Sequence, residues 1–305
     1  MENAPTFSIF TPTYNRKHTL DRVFESLLAQ SYKDFEWVII DDGSTDGTEL
    51  IVSEWKKTAP FSIHYYWQPN QGKHIAYNHF ARVAKGELFT SIDSDDGAMP
   101  NALERFVEIW GEFTKNDKQL ISGVLCNAQD QYGKLVGTRF KKEEDADMLE
   151  TLFRLKKHGE KWGFIQTRIL REFPFPEDVK NVYVPEGYFM HQCAAKYKTR
   201  FINDILRIYY INEQNNNLND LLKSEKNRAG SCYGSLAFLK YSTRLFFKFP
   251  KLFISNASEY IRISLLLKRG LGLQERAINN AKGTIIWFFC LPLGYCRFIY
   301  SKLVR

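Results

Sequence analysis

Hydrophobic and polar positions in the first hundred residues switch between two periods. Short apolar runs at 7–11, 36–41, 62–66 and 88–92 read as buried strands. Between them apolar residues return at helical spacing: Leu20, Val23, Phe24, Leu27 and Leu28, then Leu50, Ile51 and Trp55, then the segment 72–84. This alternation predicts an open α/β fold, a mostly parallel sheet with helices on both faces. Ligands of such sheets gather beyond the carboxyl ends of the strands. The unusual polar clusters fall there: Thr11-Pro12-Thr13-Tyr14-Asn15, Asp41-Asp42, and Asp93-Ser94-Asp95-Asp96.

Residues 100–219 are less periodic. Helices are expected at 101–113, 148–157 and 188–197, and strands at 120–127, 134–139 and 200–210. The run 212–219 has the Asn-rich composition of a linker. Two amphipathic helices follow at 229–247 and 251–268. The apolar stretch 284–300 is interrupted by Pro292, Gly294 and Arg297. This gives a body at 1–211 with halves meeting near residue 100, a linker at 212–219, and a helical tail at 220–305.

Charge sharpens that division. The net +7 is confined to the tail: from Asp220 onward there are 15 Lys/Arg against 4 Asp/Glu, and before it 27 against 31. An acidic body with a basic, aromatic tail argues against a nucleic-acid binder and suggests two separate jobs. The five cysteines form no metal or disulfide spacing, which fits a reducing cytoplasmic setting. The first residues lack the pattern of a secretory leader, so none is expected.

The clusters carry candidate chemistry. Three carboxylates within four residues at 93–96 repel one another unless a cation sits among them, and a hard divalent ion shared with a diphosphate is one such cation. Asp41 or Asp42 can accept from a nucleobase or ribose, while Asp46 suits a helix start. Together with Asn70-Gln71-Gly72-Lys73 and Asn78, these segments resemble the family 2 glycosyltransferases of bacterial polysaccharide synthesis, which have the GT-A fold.

The resemblance implies an inverting transfer from a nucleotide-sugar donor, commonly a UDP-sugar, to a glycan or lipid-linked acceptor, with Mn2+ or Mg2+. It implies that Thr11, Pro12 and Tyr14 line the nucleoside pocket and that Asp41 or Asp42 contacts base or ribose. Lys73 would approach the base or diphosphate. Asp93, Ser94 and Asp95 would hold the donor, with Asp95 and Asp96 at the metal. The general base would be an acid near a later helix start. Glu186 fits this better than Glu177 or Asp178, although Gly187 follows it where the family more often has Asp.

Other residues have two readings. Trp162 stacks on a sugar or packs in the core, and His191 lines an acceptor site or is structural. The tail is expected as a monotopic anchor, peripheral on the inner face of the cytoplasmic membrane, or else as a cover or dimer contact. The alternative to catalysis is a nucleotide-sugar-binding scaffold without a working base.

Overall fold

The computed structural model describes residues 4–155, 159–211 and 224–303. They form two compact units. The first comprises the described residues of Met1–Pro174 and Lys196–Asn215, the second those of Phe175–Ala195 and Asn216–Arg305. Residues 175–195, Glu186 among them, belong to the second unit.

In the first unit the α/β alternation is observed. It runs β1 (Phe7–Thr13), α1 (Leu20–Leu28), β2 (Phe35–Asp41), α2 (Thr48–Thr58), β3 (Ser62–Trp67), α3 (Lys73–Val83) and β4 (Leu88–Ser91). These four strands are parallel in the order β3-β2-β1-β4. The chain works outward from β1 through β2 to β3, then returns to place β4 on the other side of β1. The crevice between the ends of β1 and β4 is therefore a topological switch point, where two connections diverge and leave space for a ligand.

The sheet then changes character. After β5 (Gly97–Ala98) and α4 (Ala102–Glu112) come α5 (Asp117–Leu120), β6 (Ile121–Asp130), β7 (Leu135–Val136), β8 (Glu144–Ala146), α6 (Met148–Arg154), β9 (Lys161–Gln166) and α7 (Thr167–Glu172). α8 (Gly187–Lys196) then precedes β10 (Lys198–Tyr209). β9 lies antiparallel between β4 and β6, and β10 pairs parallel with β6. Strands β5, β8 and β9 and helices α5 and α7 are not expected from the pattern. The segment 212–219 lies outside the described residues, as do positions 156–157 of the expected 148–157 helix.

The core explains the register. β2 is buried along its whole length, and Trp37 stacks with Phe24 and Trp55 beneath α1 and α2. Trp162 belongs to this core rather than to a sugar platform. It is buried against Phe106, and its Nε1 donates to the Ser91 carbonyl at 2.6 Å.

The second unit is helical beyond α8: α9 (Arg228–Tyr241), a 3-10 turn (Thr243–Leu245), α10 (Pro250–Leu266), α11 (Leu271–Ile278), α12 (Ala281–Phe289) and α13 (Leu291–Leu303). The single helix expected over 229–247 ends at Tyr241. The apolar stretch at 284–300 is two helices that meet at a 56° bend.

Candidate active site

The loops that leave β1, β2 and β4 are tied together at the strand ends. The Asn15 amide donates to Ser44 Oγ at 2.8 Å, and Asn15 Oδ1 accepts from the Thr45 amide. Asn15 reaches this position with φ at 52°, a conformation asparagine tolerates better than most residues. Gly43 has φ at 95°, and a Cβ there would lie 2.9 Å from the Asn70 amide nitrogen, so the β2 turn admits only glycine. Asp46 acts at the start of α2 as expected, accepting from the Thr48 amide and hydroxyl and from the Lys17 amide.

Asp41 and Asp42 are both buried and differ in their duties. Asp42 accepts from Gln68 Nε2, the Gln71 amide and the Gly72 amide, which fixes the loop entering α3. Asp41 accepts from the Ser44 amide at 2.7 Å and from the Tyr65 hydroxyl. Burial raises the Tyr65 phenol well above its ordinary value, and Asp41 adds to the rise, so Tyr65 remains a donor.

The acidic cluster is divided by two cations that the chain itself supplies. Lys73, at the start of α3, donates to Asp93 Oδ1 at 2.7 Å. Arg207 on β10 donates through Nη2 to Asp93 Oδ2 at 3.0 Å and to Asp96 Oδ2. The Tyr210 amide donates to the other Asp96 oxygen at 3.0 Å. Burial alone would raise the Asp93 carboxyl, but Lys73 and Arg207 overcome it and hold Asp93 well below the usual carboxylate range. Burial likewise opposes the Arg207 charge, and Asp93 and Asp96 hold that guanidinium above its ordinary value. Burial outweighs Arg207 at Asp96 and raises its carboxyl to about 6, so the two acids that share Arg207 are shifted in opposite directions.

Asp95 stands apart. Its carboxylate is partly exposed, with Arg16 3.8 Å away, and its carbonyl accepts from Arg22 Nη1 at 3.1 Å. A Mg2+ or Mn2+ ion is held by one or two carboxylates together with substrate phosphates and water. Asp95 fits that donor set. Asp96, expected beside it at a metal, instead has both oxygens occupied within the protein. Among the described residues no group of three or more His, Cys, Asp or Glu is placed to enclose a metal unaided.

Other expected residues take different places. Thr11 is fully buried and its Oγ1 accepts from Trp37 Nε1 at 2.9 Å, so its side chain is engaged within the protein. Tyr14 is half exposed at the β1 end, Pro12 is partly buried and Ser94 is buried. Glu186 is exposed in the second unit, where its carbonyl accepts the first amides of α8. His191 is buried in the same unit, with Nδ1 2.7 Å from Ser242 Oγ and its ring packed on the edge of Phe238; it is a core residue. Arg207 escaped the sequence reading. It is 111 residues from Asp96, and in sequence it looks like any arginine on a strand.

Residues 8–168 match the profile described as glycosyl transferase family 2. A glycosyltransferase from Nostoc whose function is uncharacterised is 29% identical over 242 residues, covering 74% of this chain and 71% of that protein. The GalNAc(5)-diNAcBac-PP-undecaprenol beta-1,3-glucosyltransferase of Campylobacter jejuni is 24% identical, over 64% of this chain and 65% of its own. Other curated glycosyltransferases are spanned over less than half their length, 35% and 44% in two cases. Among solved structures, S. aureus TarS 1-349 in complex with UDP-GlcNAc has a TM-score of 0.59 at 16% identity, covering 94% of this chain and 90% of that one. The mannosyltransferase of Pyrobaculum calidifontis in complex with GDP-Man and Mn2+ has a TM-score of 0.52 at 17% identity, covering 99% and 89%. At such identities the structural likeness speaks for the fold. The sequence match covers more than half of the chain: it belongs to glycosyl transferase family 2 and is a glycosyltransferase.

Proposed function

We propose that this protein transfers a sugar, with inversion, from a nucleoside diphosphate donor to a hydroxyl of a glycan or lipid-linked acceptor in cell-surface polysaccharide synthesis. The observation that carries the reading is the division of the strand-end acids at the β1/β4 switch point. Asp93 and Asp96 hydrogen-bond to Lys73 and Arg207, whereas Asp95 has a longer ion pair with Arg16 at 3.8 Å. The Campylobacter relative, named for an undecaprenol-linked substrate, favours a lipid-linked acceptor.

In this reading Asp95 would hold Mn2+ or Mg2+. Such an ion, when bound, stabilises the negative charge of a departing diphosphate. Pro12 and Tyr14 border the nucleoside. Asp41 is assigned the base or ribose contact, because its two bonds leave more acceptor capacity than the three that Asp42 makes. Lys73 and Ser94 border the diphosphate. Glu186 takes the proton of the acceptor hydroxyl as its oxygen bonds to the anomeric carbon. The bond from that carbon to the diphosphate oxygen breaks, and the electron pair leaves with the nucleotide.

A panel of UDP- and GDP-sugars tested by thermal shift with Mn2+ identifies the donor. With that donor, Glu186→Gln is expected to lower turnover by about 10²–10⁴-fold and to leave nucleotide affinity unchanged. Unchanged turnover would remove Glu186 from the base role. No response to any donor would overturn the reading as a whole.

A further inference from the structure

The last two helices, α12 and α13, have inner faces that are pinned and outer faces that are apolar. α12 begins at Asn280, whose Oδ1 accepts from the Gly283 amide. A Cβ at Gly283 would fall 2.4 Å from the Leu239 carbonyl oxygen, so α12 lies directly on the α9 backbone. Trp287 is buried on that side, and its Nε1 donates to Gln274 Oε1 at 3.1 Å. α13 is held similarly. A Cβ at Gly294 would meet Ile261 of α10 at 2.5 Å, and Arg262 Nη1 donates to Ser301 Oγ at 3.2 Å. The two helices are therefore docked elements of the second unit.

The opposite side is the reverse of a soluble surface. Ile285, Phe288 and Phe289 share one face of α12 at three- and four-residue spacing and are 57%, 61% and 77% exposed. Leu293, Ile299, Tyr300 and Leu303 continue the exposed apolar surface along α13. A run of large exposed apolar side chains on neighbouring helices marks an interaction surface. Glu275 lies beside the start of α12, but beyond it the sequence carries charge of one sign. No Asp or Glu follows Glu275, whereas Arg276, Lys282, Arg297, Lys302 and Arg305 do.

We infer that this face inserts into the headgroup and outer acyl region of an anionic lipid bilayer. Phe288 and Phe289 lie deepest, next to the bend, and Lys282 and Lys302 meet the phosphates. Three observations favour lipid over other occupants. Lys282, Arg297 and Lys302, with no acid on α12 or α13 themselves, complement an anionic leaflet, each adding attraction close to the surface. A second copy of the chain would bring the same positive charge against itself. Lengths of 9 and 13 residues correspond to about 14 and about 20 Å. Neither helix alone crosses a hydrocarbon core of about 30 Å, and because the inner faces of both are docked on α9 and α10, only their outer faces are available to lipid, which places the bent pair in the interface. The inference does not depend on the proposed reaction.

The test is flotation of the full-length protein with vesicles of phosphatidylcholine alone or with 30 mol% phosphatidylglycerol (about the anionic content needed for clear electrostatic attraction). The wild type is expected to bind the anionic vesicles at least about tenfold more tightly than the neutral ones, with binding weakened by salt. Phe288→Ser/Phe289→Ser removes apolar groups that are already exposed, and should cut vesicle binding about tenfold or more without changing the circular dichroism spectrum. Lys282→Gln/Lys302→Gln should lose the anionic preference and retain the weak neutral binding. The inference is overturned if the wild type stays unbound at low salt. It is also overturned if light scattering shows a dimer that the Phe pair disrupts while vesicle binding is unaffected.

Discussion

The two units bury titratable groups in opposite ways. At the strand ends of the first unit, Asp93 and Arg207 are held in their charged forms by partners within hydrogen-bond reach, whereas at Asp96 burial outweighs Arg207 and raises the carboxyl to about 6. In the second unit His191 is enclosed by Phe238 and Ser242, and burial, with Arg244 nearby, lowers its pKa to about 3. A group that loses water without gaining a counter-charge gives up its charge. The contrast separates a polar cluster, in which acids and cations pair with one another, from a core in which titratable residues only pack. It also explains why a histidine near aromatic residues is a poor marker of an acceptor site.

The most severe challenge to this contrast is removal of the shared cation. Arg207→Met leaves Asp93 and Asp96 facing each other with only Lys73 to compensate. Breaking a buried pair this way is expected to destabilise the first unit by about 3–5 kcal/mol, read from urea unfolding. A loss within experimental error would mean that the two acids are not held by Arg207.

The histidine provides the next test. Between pH 6.5 and 3 the unfolded chain takes up a proton at His191 that the folded chain refuses, so stability falls as the solution becomes more acidic. By pH 5 this single group contributes a loss of about 2 kcal/mol relative to neutral pH. His191→Asn should flatten that portion of the stability profile by about one proton. An unaltered slope would show that His191 is protonated within the fold.

The smallest effect concerns Thr11. Thr11→Val keeps the shape and strands the Trp37 Nε1 hydrogen without an acceptor, a cost of about 1–2 kcal/mol in stability with nucleotide affinity unchanged. Weakened nucleotide binding at intact stability would return Thr11 to the nucleoside pocket.

Much of the first unit was legible because its signals are local. Each of β1 to β4 is an apolar run closed by polar loop residues, and the intervening helices repeat at their own period, so the parallel half-sheet and its polar rim follow from short windows of sequence. The mixed half was less readable. β9 is a short strand whose partners β4 and β6 are fixed by tertiary pairing, and its Trp162 gave an ambiguous sign until its contact with Phe106 was seen. The cluster at 93–96 was legible and a divalent cation was expected among its acids; the structure shows Lys73 and Arg207 there. The identity of those cations was hidden, because Arg207 reaches it only through the return of β10 into the sheet. In the tail the apolar run and its interruption at Pro292 were visible, but the docking of the two helices at Gly283 and Gly294 depends on the α9 and α10 surfaces they meet.

The central proposal is that Asp95, rather than Asp93 or Asp96, meets the donor's metal-bound diphosphate. Calorimetric titration of the donor nucleotide with and without Mn2+ tests it directly, comparing the wild type with Asp95→Asn and Asp96→Asn. The account predicts that Asp95→Asn abolishes the gain in affinity given by Mn2+. It predicts that Asp96→Asn lowers stability and keeps that gain. A Mn2+ effect that survives in Asp95→Asn and vanishes in Asp96→Asn would contradict the account.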